Sequence, residues 1–219
     1  MDIALLVDTF WHMSRAGEIV SRPFGDSTLL DICLQGLAAL DAPCRKYVVA
    51  ADRSTQARAA QYPGLEVVRI RPHARTVQRG LARRYSYLES LGEQWFLEVN
   101  PMWPLVHPEV WWSAVEAHLA EDGPGLVSVS RLRGRFHVDD SGEARGSAEG
   151  SVLLETDAFR IFSKQVIFGE GSYFGASDVA PIPFPVPREA DWHVQDSRAF
   201  AAAEAVWAHR RLERPLALV

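Results

Sequence analysis

The first apolar run of the chain constrains the kind of sheet that it can form. Residues 3–7 are apolar without interruption and are followed by Asp8. A strand covered by helices on both faces is apolar throughout rather than alternating, so this run predicts a buried parallel strand. A polar and aromatic loop extends to Pro23, and residues 26–28 then offer N-cap side chains for a helix. In open α/β sheets ligands bind beyond the carboxyl ends of the strands, so we expect a site in this first loop.

The chain continues as alternating helices and strands. Apolar residues at helical spacing predict helices at 27–40, 74–91 and 108–119. Short apolar runs predict strands at 47–51, 65–70, 95–99 and 126–130. A polar helix after the strand at 47–51 would be capped by Ser54. Crossovers of this length connect parallel strands, so the pattern indicates an α/β sheet.

The alternation changes after residue 130. Residues 135–138, followed by a turn at 139–142 and a Gly- and Ser-containing segment, predict an antiparallel hairpin. We therefore treat 131–150 as a small excursion from one domain that spans residues 1–219.

The C-terminal third returns to shorter elements. We expect a strand at 151–155, a short helix at 157–163 and a last short strand at 191–195. The Pro-rich run at 181–187 excludes a central strand and a helix there. Asp196 is expected to cap the terminal helix.

Length and charge narrow the functional classes. With 219 residues, of which 47% are hydrophobic, the chain is long enough for one substantial α/β domain. A net charge of −5 argues against a nucleic-acid partner. The arginines between residues 69 and 84 are interpreted as a solvated helix face, with an anion-binding surface as the alternative.

The sequence also predicts where the protein is located and how its cysteines are used. No apolar run is long enough for a membrane span and the first residues lack the basic region of a signal peptide. We therefore expect a cytoplasmic protein with no membrane partner. Cys33 and Cys44 are predicted to be buried small residues rather than a disulfide or metal ligands.

Several segments are informative as an ordered set. Residues 22–25 read Arg-Pro-Phe-Gly, 48–52 read Val-Val-Ala-Ala-Asp, 97–105 read LEVNPMWPL, 154–163 read LETDAFRIFS, and 200–207 form the predicted closing helix. Over nearly the whole chain this set resembles the acylneuraminate cytidylyltransferases, also called CMP-sialic acid synthetases, and their relatives for other acidic sugars. The first four segments are similar to that family's Lys-Pro-Leu-Gly, Val-Val-Ser-Thr-Asp, Leu-Gln-Pro-Thr-Ser-Pro-Leu and Glu-Asn-Gly-Ala-Phe-Tyr-Ile-Phe.

The resemblance implies a fold and an activity. The implied fold is a three-layer α/β/α nucleotidyltransferase domain, Rossmann-like and GT-A-like, in which the hairpin at 131–150 is a dimerisation element. The implied activity is transfer of a cytidylyl group from CTP to a sugar acid with the help of a divalent metal. A triphosphate in a cleft must be neutralised before an oxygen can attack it, so such a site needs cations.

The first loop departs from the family pattern. The family has an Arg, a Ser and two Lys there, and an ungapped comparison places at these positions Thr9, His12, Met13 and Glu18. Arg15 and Arg22 are the basic residues that would replace the lost cations in a loop folded differently.

The metal site departs as well. Where the family ends its last strand with Asp-x-Asp-Thr, this chain has His193-Val194-Gln195-Asp196. An imidazole and an amide are poor substitutes for two carboxylates as ligands of a hard cation such as Mg²⁺. The cofactor is therefore unknown, because the resemblance implies a divalent metal whose usual ligands are absent.

Candidate site residues come from the strand ends, the altered loop and the matched segments. For catalysis we predict His12 or His193 as a base or transition-metal ligand, together with Asp196. The residues predicted to bind substrate are Asp8, Thr9, Arg15, Glu18, Arg22, Asp52, Arg71, Asn100, Glu155 and Phe159. Alternatives remain open, since a strand-end Asp can cap a helix and an aromatic such as Phe159 can belong to the core.

Aromatic residues offer a further candidate wall for a base or a sugar. These are Phe10, Trp11, Trp103, Trp111 and Trp112. Packing in the core is the simpler explanation for most of them.

Three functional hypotheses follow. The first is a divergent cytidylyltransferase-like enzyme that acts on a nucleotide, an acidic sugar or a small acidic metabolite in a biosynthetic pathway, as a homodimer. The second is a non-catalytic binding or partner subunit of the same fold. The third is an enzyme of different chemistry based on His and carboxylate side chains.

Overall fold

The computed structural model describes residues 1–9, 19–70, 80–121, 123–138, 144–175 and 179–213, without the side chains of 134–138, 144–150 and 211–213. The strands in these residues are β1 (Ile3–Asp8), β2 (Pro23–Phe24), β3 (Ser27–Thr28), β4 (Lys46–Ala50), β5 (Glu66–Arg69), β6 (Trp95–Val99), β7 (Leu126–Val138), β8 (Ala144–Ser163) and β9 (Ile182–Pro185). Seven of them form one sheet in the order β5-β4-β1-β6-β8-β7-β9, and β2 pairs with β3 in a small antiparallel sheet. The predicted α/β class is confirmed.

The strand directions define one edge of the sheet that matters for function. β1 pairs in parallel with β4 and β6, and β4 pairs in parallel with β5, so these four strands end at the same edge, here called the carboxyl edge. β8 runs antiparallel to β6 and to β7. Because Val99 pairs with Phe159, the residues just before Phe159 lie at the carboxyl edge. Beyond that edge β7 and β8 continue as a two-stranded ribbon.

Helices connect these strands. They are α1 (Leu29–Ala39), α2 (Arg53–Ala59), α3 (Gly80–Arg84), α4 (Pro108–Ala120), α5 (Lys164–Glu170) and α6 (Ser197–Glu213). The predicted helices at 27–40 and 108–119 are confirmed to within two residues. Pro108 occupies the first position of α4, where its missing N–H costs nothing.

The core lies on both faces of the sheet. Along β1 the side chains of Ile3, Leu5 and Val7 pack into a cluster with α1, α4 and α6, whereas Ala4 and Leu6 pack into a second cluster on the opposite face. Successive side chains of a strand point to opposite faces, so a strand buried on both sides must be apolar throughout. The buried parallel strand predicted from residues 3–7 is confirmed.

The helix predicted at 157–163 is wrong, because these residues are the end of β8. Trp95 to Val99 pair one by one with Ser163 to Phe159. Ala158, Phe159, Ile161 and Phe162 are all buried, so the segment is apolar on both faces of the sheet. Such a run does not distinguish a buried strand from a buried helix, and the pairing with β6 decides the outcome.

Three smaller predictions are also corrected or refined. Residues 191–195 form no strand in the structure, and Val194 makes a single backbone bond to the Met102 carbonyl at 2.9 Å. The cap of α2 is Asp52 rather than Ser54, since the Asp52 carboxylate accepts from Thr55 N–H at 2.8 Å. The Pro-rich run supplies β9, which lies at the sheet edge, where proline is tolerated.

Parts of two predicted elements lie outside the described residues. Of the helix predicted at 74–91, the described part forms α3 and a 3₁₀ turn at Ser86–Ser90. The hairpin pairing is present up to Val138 and Ala144, and the predicted turn at 139–142 lies outside the described residues.

The cysteines and the helix lengths agree with the sequence analysis. Cys33 is buried, Cys44 is partly buried, and both are free thiols. Burial raises the pKa of the Cys33 thiol, as expected for a packing residue. In the described ranges no helix has the length and apolarity needed to cross a bilayer.

One buried base makes the fold sensitive to pH. His118 lies in the last turn of α4, where its ring packs against Trp95 with centroids 4.4 Å apart. Its Nδ1 is buried without a hydrogen-bond partner among the described residues. Burial lowers the pKa of His118 from its ordinary value of 6.5.

The free energy of unfolding is therefore expected to fall as the pH drops below about 6.5, since the unfolded chain takes up a proton there that the folded chain resists. The loss continues down to the lowered pKa of the folded state. Urea unfolding of His118→Gln should show a flatter pH dependence than the wild type between pH 7.5 and 5.5. His107→Gln is the matched control because His107 is exposed. Equal slopes for His118→Gln and the wild type would contradict this prediction.

Candidate active site

A cleft of about 480 Å³ opens at the carboxyl edge of the sheet. The residues that line this cleft, here called the rim cleft, are Trp103, Ser130, Leu154, Glu155, Thr156, Asp157, Arg160 and His193. A smaller recess beside it shares Asp157 and Arg160 and reaches the end of β6 at Asn100. The rim cleft therefore lies where ligands bind in open α/β sheets.

A stacked pair of rings forms one wall of the rim cleft. The rings of Trp103 and His193 are nearly parallel, with an interplanar angle of 7° and centroids 5.2 Å apart. Trp103 Nε1 donates to Asp157 Oδ1 at 3.0 Å, and this bond fixes both side chains. His193 is held in place by its neighbour Val194, whose N–H donates to the Met102 carbonyl.

The turn after β6 sets the position of Trp103. Asn100 Oδ1 accepts from Met102 N–H at 2.9 Å, and the Asn100 carbonyl accepts from Trp103 N–H at 3.1 Å. Asn100 N–H in turn donates to the Ala158 carbonyl of β8. An amide at this position can both close the turn and face the recess, so a bulkier or apolar residue would displace the aromatic wall.

A buried carboxylate lies behind the cleft. Glu98 is 4% exposed, and both its oxygens accept from the Tyr85 hydroxyl at 2.9 Å. Glu98 Oε2 lies 3.6 Å from Arg160 Nε, and Oε1 lies 3.8 Å from Arg84 Nη2. The Arg160 guanidinium also lies over the Tyr173 ring, 4.4 Å from its centroid. Arg160 thus joins the buried charge cluster to the rim cleft.

The protonation states in this cluster follow from burial and charge. Burial raises the pKa of Tyr85 well above its usual range, and the neighbouring Glu98 carboxylate adds to the effect. For Arg160 burial is the largest single effect and lowers the pKa, but Glu98 together with Tyr173, Tyr85 and Asp157 raises it by more, so the pKa of Arg160 is raised overall. The tyrosine is therefore neutral and the guanidinium charged over the whole physiological pH range.

The end of β1 is buried. Asp8 is 1% exposed, and Tyr87 Oη lies 3.4 Å from its Oδ2, at the outer limit for a hydrogen bond. Thr9 donates through Oγ1 to the Val49 carbonyl at 2.7 Å. Both residues lie at the carboxyl edge, as their place after the first strand predicts.

Other predicted site residues have structural contacts. The Asp196 carboxylate accepts from Arg198 N–H at 2.9 Å and from Ala199 N–H at 2.8 Å and so caps α6, as predicted. Asp52 caps α2 in the same way. Phe159 is fully buried in the core, and the Arg22 guanidinium lies over the Phe200 ring at 4.7 Å. None of these four residues lines the rim cleft.

Of the predicted site residues, the structure brings Glu155, His193 and Asn100 to the rim cleft and its recess. Four others lie outside the described residues, namely His12, Arg15, Glu18 and Arg71. In the described part of the chain no group of three or more His, Cys, Asp or Glu side chains is placed to hold a metal ion.

Sequence reasoning missed Asp157, Arg160 and Ser130 as residues of the site. Asp157 and Arg160 were missed because the incorrect helix at 157–163 would not have paired with β6 and so would not have brought them to its end. A signal was available, because Glu98 and Arg160 are the single charges within the apolar runs 95–99 and 158–162. A charge in such a position is rarely buried unless it is paired.

The fold is also found in other proteins of known structure. A 4-diphosphocytidyl-2C-methyl-D-erythritol synthase from Anaerococcus prevotii superimposes with a TM-score of 0.67 at 12% identity, over 94% of this chain and 98% of that one. A CMP:2-keto-3-deoxy-manno-octonic acid synthetase, solved with CTP, gives a TM-score of 0.69 at 10% identity, over 96% and 100% of the two chains. Another 4-diphosphocytidyl-2C-methyl-D-erythritol synthase gives 0.59 at 13% identity, over 94% and 98%.

These likenesses show a shared fold, and identities of 10–13% establish nothing finer. Comparison of the sequence with known protein families gives no match. Comparison with curated proteins gives none either. The specific resemblance to the acylneuraminate enzymes therefore rests on the sequence segments alone.

The contribution of the Asp196 cap to the stability of the fold can be measured. Asp196→Ala should lower the free energy of unfolding by about 1 kcal/mol, since two N–H groups of α6 lose their acceptor. Asp196→Ser should keep most of the stability because a serine hydroxyl also caps. Urea unfolding measures both, with the exposed Asp41→Ala as control. An Asp196→Ala variant as stable as the wild type would show that the cap contributes nothing.

Proposed function

We propose that this chain is a remodelled cytidylyltransferase-like enzyme that binds a nucleotide at the carboxyl edge and a sugar-sized acceptor in the rim cleft. The observation that carries the proposal is the position of the rim cleft, which adjoins the end of β6 and residues 154–160 of β8 in a fold shared with a synthetase that was solved with CTP. A volume of about 480 Å³ lies in the usual range for small-molecule sites.

The reaction would be nucleotidyl transfer. An acceptor oxygen attacks the α-phosphorus, the new P–O bond forms as the bond to the β-phosphate oxygen breaks, and pyrophosphate leaves. The acceptor hydroxyl must lose a proton, and His193 is our candidate base because its ring forms part of the cleft wall. Asn100, at the end of β6, would contact the nucleotide from the neighbouring recess.

The described residues do not fit the metal site of the resembling family. Of the carboxylates in its Asp-x-Asp-Thr motif, this chain keeps none, and Asp196 caps a helix at the Thr position. We therefore assign no step to a metal ion and no metal ligand in this chain.

A second candidate function is a nucleotide- or sugar-binding subunit without catalysis. It is favoured by the use of Asp52 and Asp196 as helix caps, because these carboxylates at the carboxyl edge serve the fold. Both candidates predict that a ligand binds, and only the enzyme predicts turnover.

Nucleotide binding is the first test. In thermal shift and calorimetry with CTP, UTP, ATP and GTP, each with Mg²⁺, at least one should stabilise the protein, by about 2.7 kcal/mol at a concentration 100 times its Kd. Asn100→Asp keeps the oxygen that accepts from Met102 N–H and adds a negative charge, so it should weaken triphosphate binding about fivefold. Gln35→Glu, which adds the same charge on the exposed face of α1, is the control.

Turnover is the second part of this test. Release of pyrophosphate by the purified chain would support the enzyme, and His193→Ala should reduce it by about 10²–10⁴ without loss of nucleotide binding. Binding without pyrophosphate release would favour the subunit. If no nucleotide stabilises the protein, nucleotidyl transfer is excluded.

We also propose that the ribbon formed by the outer parts of β7 and β8 mediates homodimerisation. Among its apolar side chains outside the rim cleft, Leu132 and Leu153 are 44% and 43% exposed in the single chain, and burying them would be favourable.

Sedimentation equilibrium at micromolar concentration should give a dimer for the wild type and a monomer for Leu132→Glu, because burying the new charge is costly. Leu119→Glu is the matched control, since Leu119 on α4 is 55% exposed and lies away from the ribbon. A monomeric wild type, or a dimer that survives Leu132→Glu, would contradict the proposed interface.

A further inference from the structure

The charges around the rim cleft do not suit an acidic ligand. Glu155 and Asp157 line it, and Glu98 lies directly behind. These three carboxylates face two guanidinium groups, those of Arg84 and Arg160. Among the described residues one negative charge is therefore in excess, and the resemblance to enzymes for sugar acids predicts the opposite sign.

Arg160 does not reverse this balance. In the described part of the chain its guanidinium is the one Lys or Arg group that lines the cleft, and it lies 3.6 Å from the Glu98 carboxylate and over the Tyr173 ring. Its charge thus serves largely to offset a carboxylate buried in the sheet. Glu155 also lines the cleft, is exposed and has no hydrogen bond among the described residues.

A hydroxyl in the wall of the cleft is available to a polar ligand. Ser130 is 6% exposed and lines the cleft, and no described residue gives its hydroxyl a hydrogen-bond partner. A hydroxyl both donates and accepts, so it can pair with a hydroxyl of a ligand in the cleft. Ser130 pairs with Leu154 on β8, close to Glu155.

The opposite wall suits the ring of a sugar. The stacked Trp103 and His193 rings present a flat surface, and Asp157 is fixed beside it by its bond to Trp103 Nε1. An aromatic surface packs against the C–H face of a sugar ring, while carboxylates and hydroxyls accept from its polar groups. Hydrogen bonds from a charged donor to a carboxylate are the strongest of these.

We propose that the rim cleft binds an amino sugar, a hydroxyl-rich ring whose protonated amine contacts Glu155 and Asp157 while the Ser130 hydroxyl pairs with a ring hydroxyl. The inference rests on the proposed function in assigning the acceptor to this cleft. It differs from the sequence expectation of an acidic sugar, which follows from the resemblance alone.

Calorimetry or ligand-observed NMR with glucosamine, glucose and glucuronate tests the charge preference. The pH should be about 7, below the value of about 7.7–8 at which amines of this kind lose their proton. Glucosamine should bind about threefold to tenfold more tightly than glucose, and glucuronate most weakly. The preference for glucosamine should vanish above about pH 9 and shrink at high salt. Tighter binding of glucuronate than of glucosamine, or equal binding of all three, would overturn the proposal.

Variants test the residues. Glu155→Gln and Asp157→Asn should each remove most of the preference for glucosamine over glucose, and Asp157→Asn keeps an oxygen for Trp103 Nε1. Ser130→Ala should weaken glucose and glucosamine equally. Glu121→Gln, an exposed carboxylate beyond the end of α4, is the control. An unchanged preference in both Glu155→Gln and Asp157→Asn would also overturn the proposal.

The outcome is separable from that of the proposed function. If a nucleotide stabilises the protein and the sugars show no preference for the amine, the amino-sugar inference fails and nucleotide binding stands. If glucosamine binds with the expected preference and no nucleotide stabilises the protein, nucleotidyl transfer is excluded. The assignment of an amino sugar to the rim cleft then stands.

Discussion

The antiparallel pairing of β8 with β6 determines which side chains meet at the carboxyl edge. β8 runs against the parallel strands, so its residues before Phe159 arrive where β6 ends. Asp157 and Arg160 therefore lie beside Asn100, although they are far from it in sequence. The same pairing lets β7 and β8 leave the sheet together, which places Ser130 and Glu155 across the cleft from the turn after β6.

The buried Glu98 carboxylate makes this arrangement rigid. A carboxylate removed from water is costly unless it is paired and hydrogen-bonded. Here the partners come from different parts of the chain, with Arg84 in α3, Tyr85 directly after it and Arg160 in β8. Each of these elements must be in place for the charge to be compensated, so the cluster joins them behind the cleft.

The fold is shared with synthases and a synthetase of known structure, while the electrostatics of the site are its own. A fold fixes where a ligand can bind, whereas the side chains at that edge decide which ligand is bound. In this chain the carboxylates of Asp52 and Asp196 cap helices, and those of Glu155 and Asp157 line the cleft. The positive charge that the resembling family needs for its substrates is not reproduced among the described residues of the rim cleft.

The sequence alone determined the layers of the fold, because hydrophobic periodicity is local and reports burial directly. The strands at 47–51 and 95–99, the helix at 27–40 and the cap at Asp196 were all predictable in this way. Asn100 and His193 came into consideration as site residues through the resemblance of their segments to the acylneuraminate enzymes.

Only the tertiary structure decided that residues 157–163 are a strand, since a run buried on both faces suits a helix or a strand equally until a neighbour pairs with it. That pairing placed Asp157, Arg160 and Ser130 in one cleft. The tertiary structure also stacks the Trp103 ring on the His193 ring. The ligand's charge is therefore set by contacts between residues distant in sequence, which periodicity does not report.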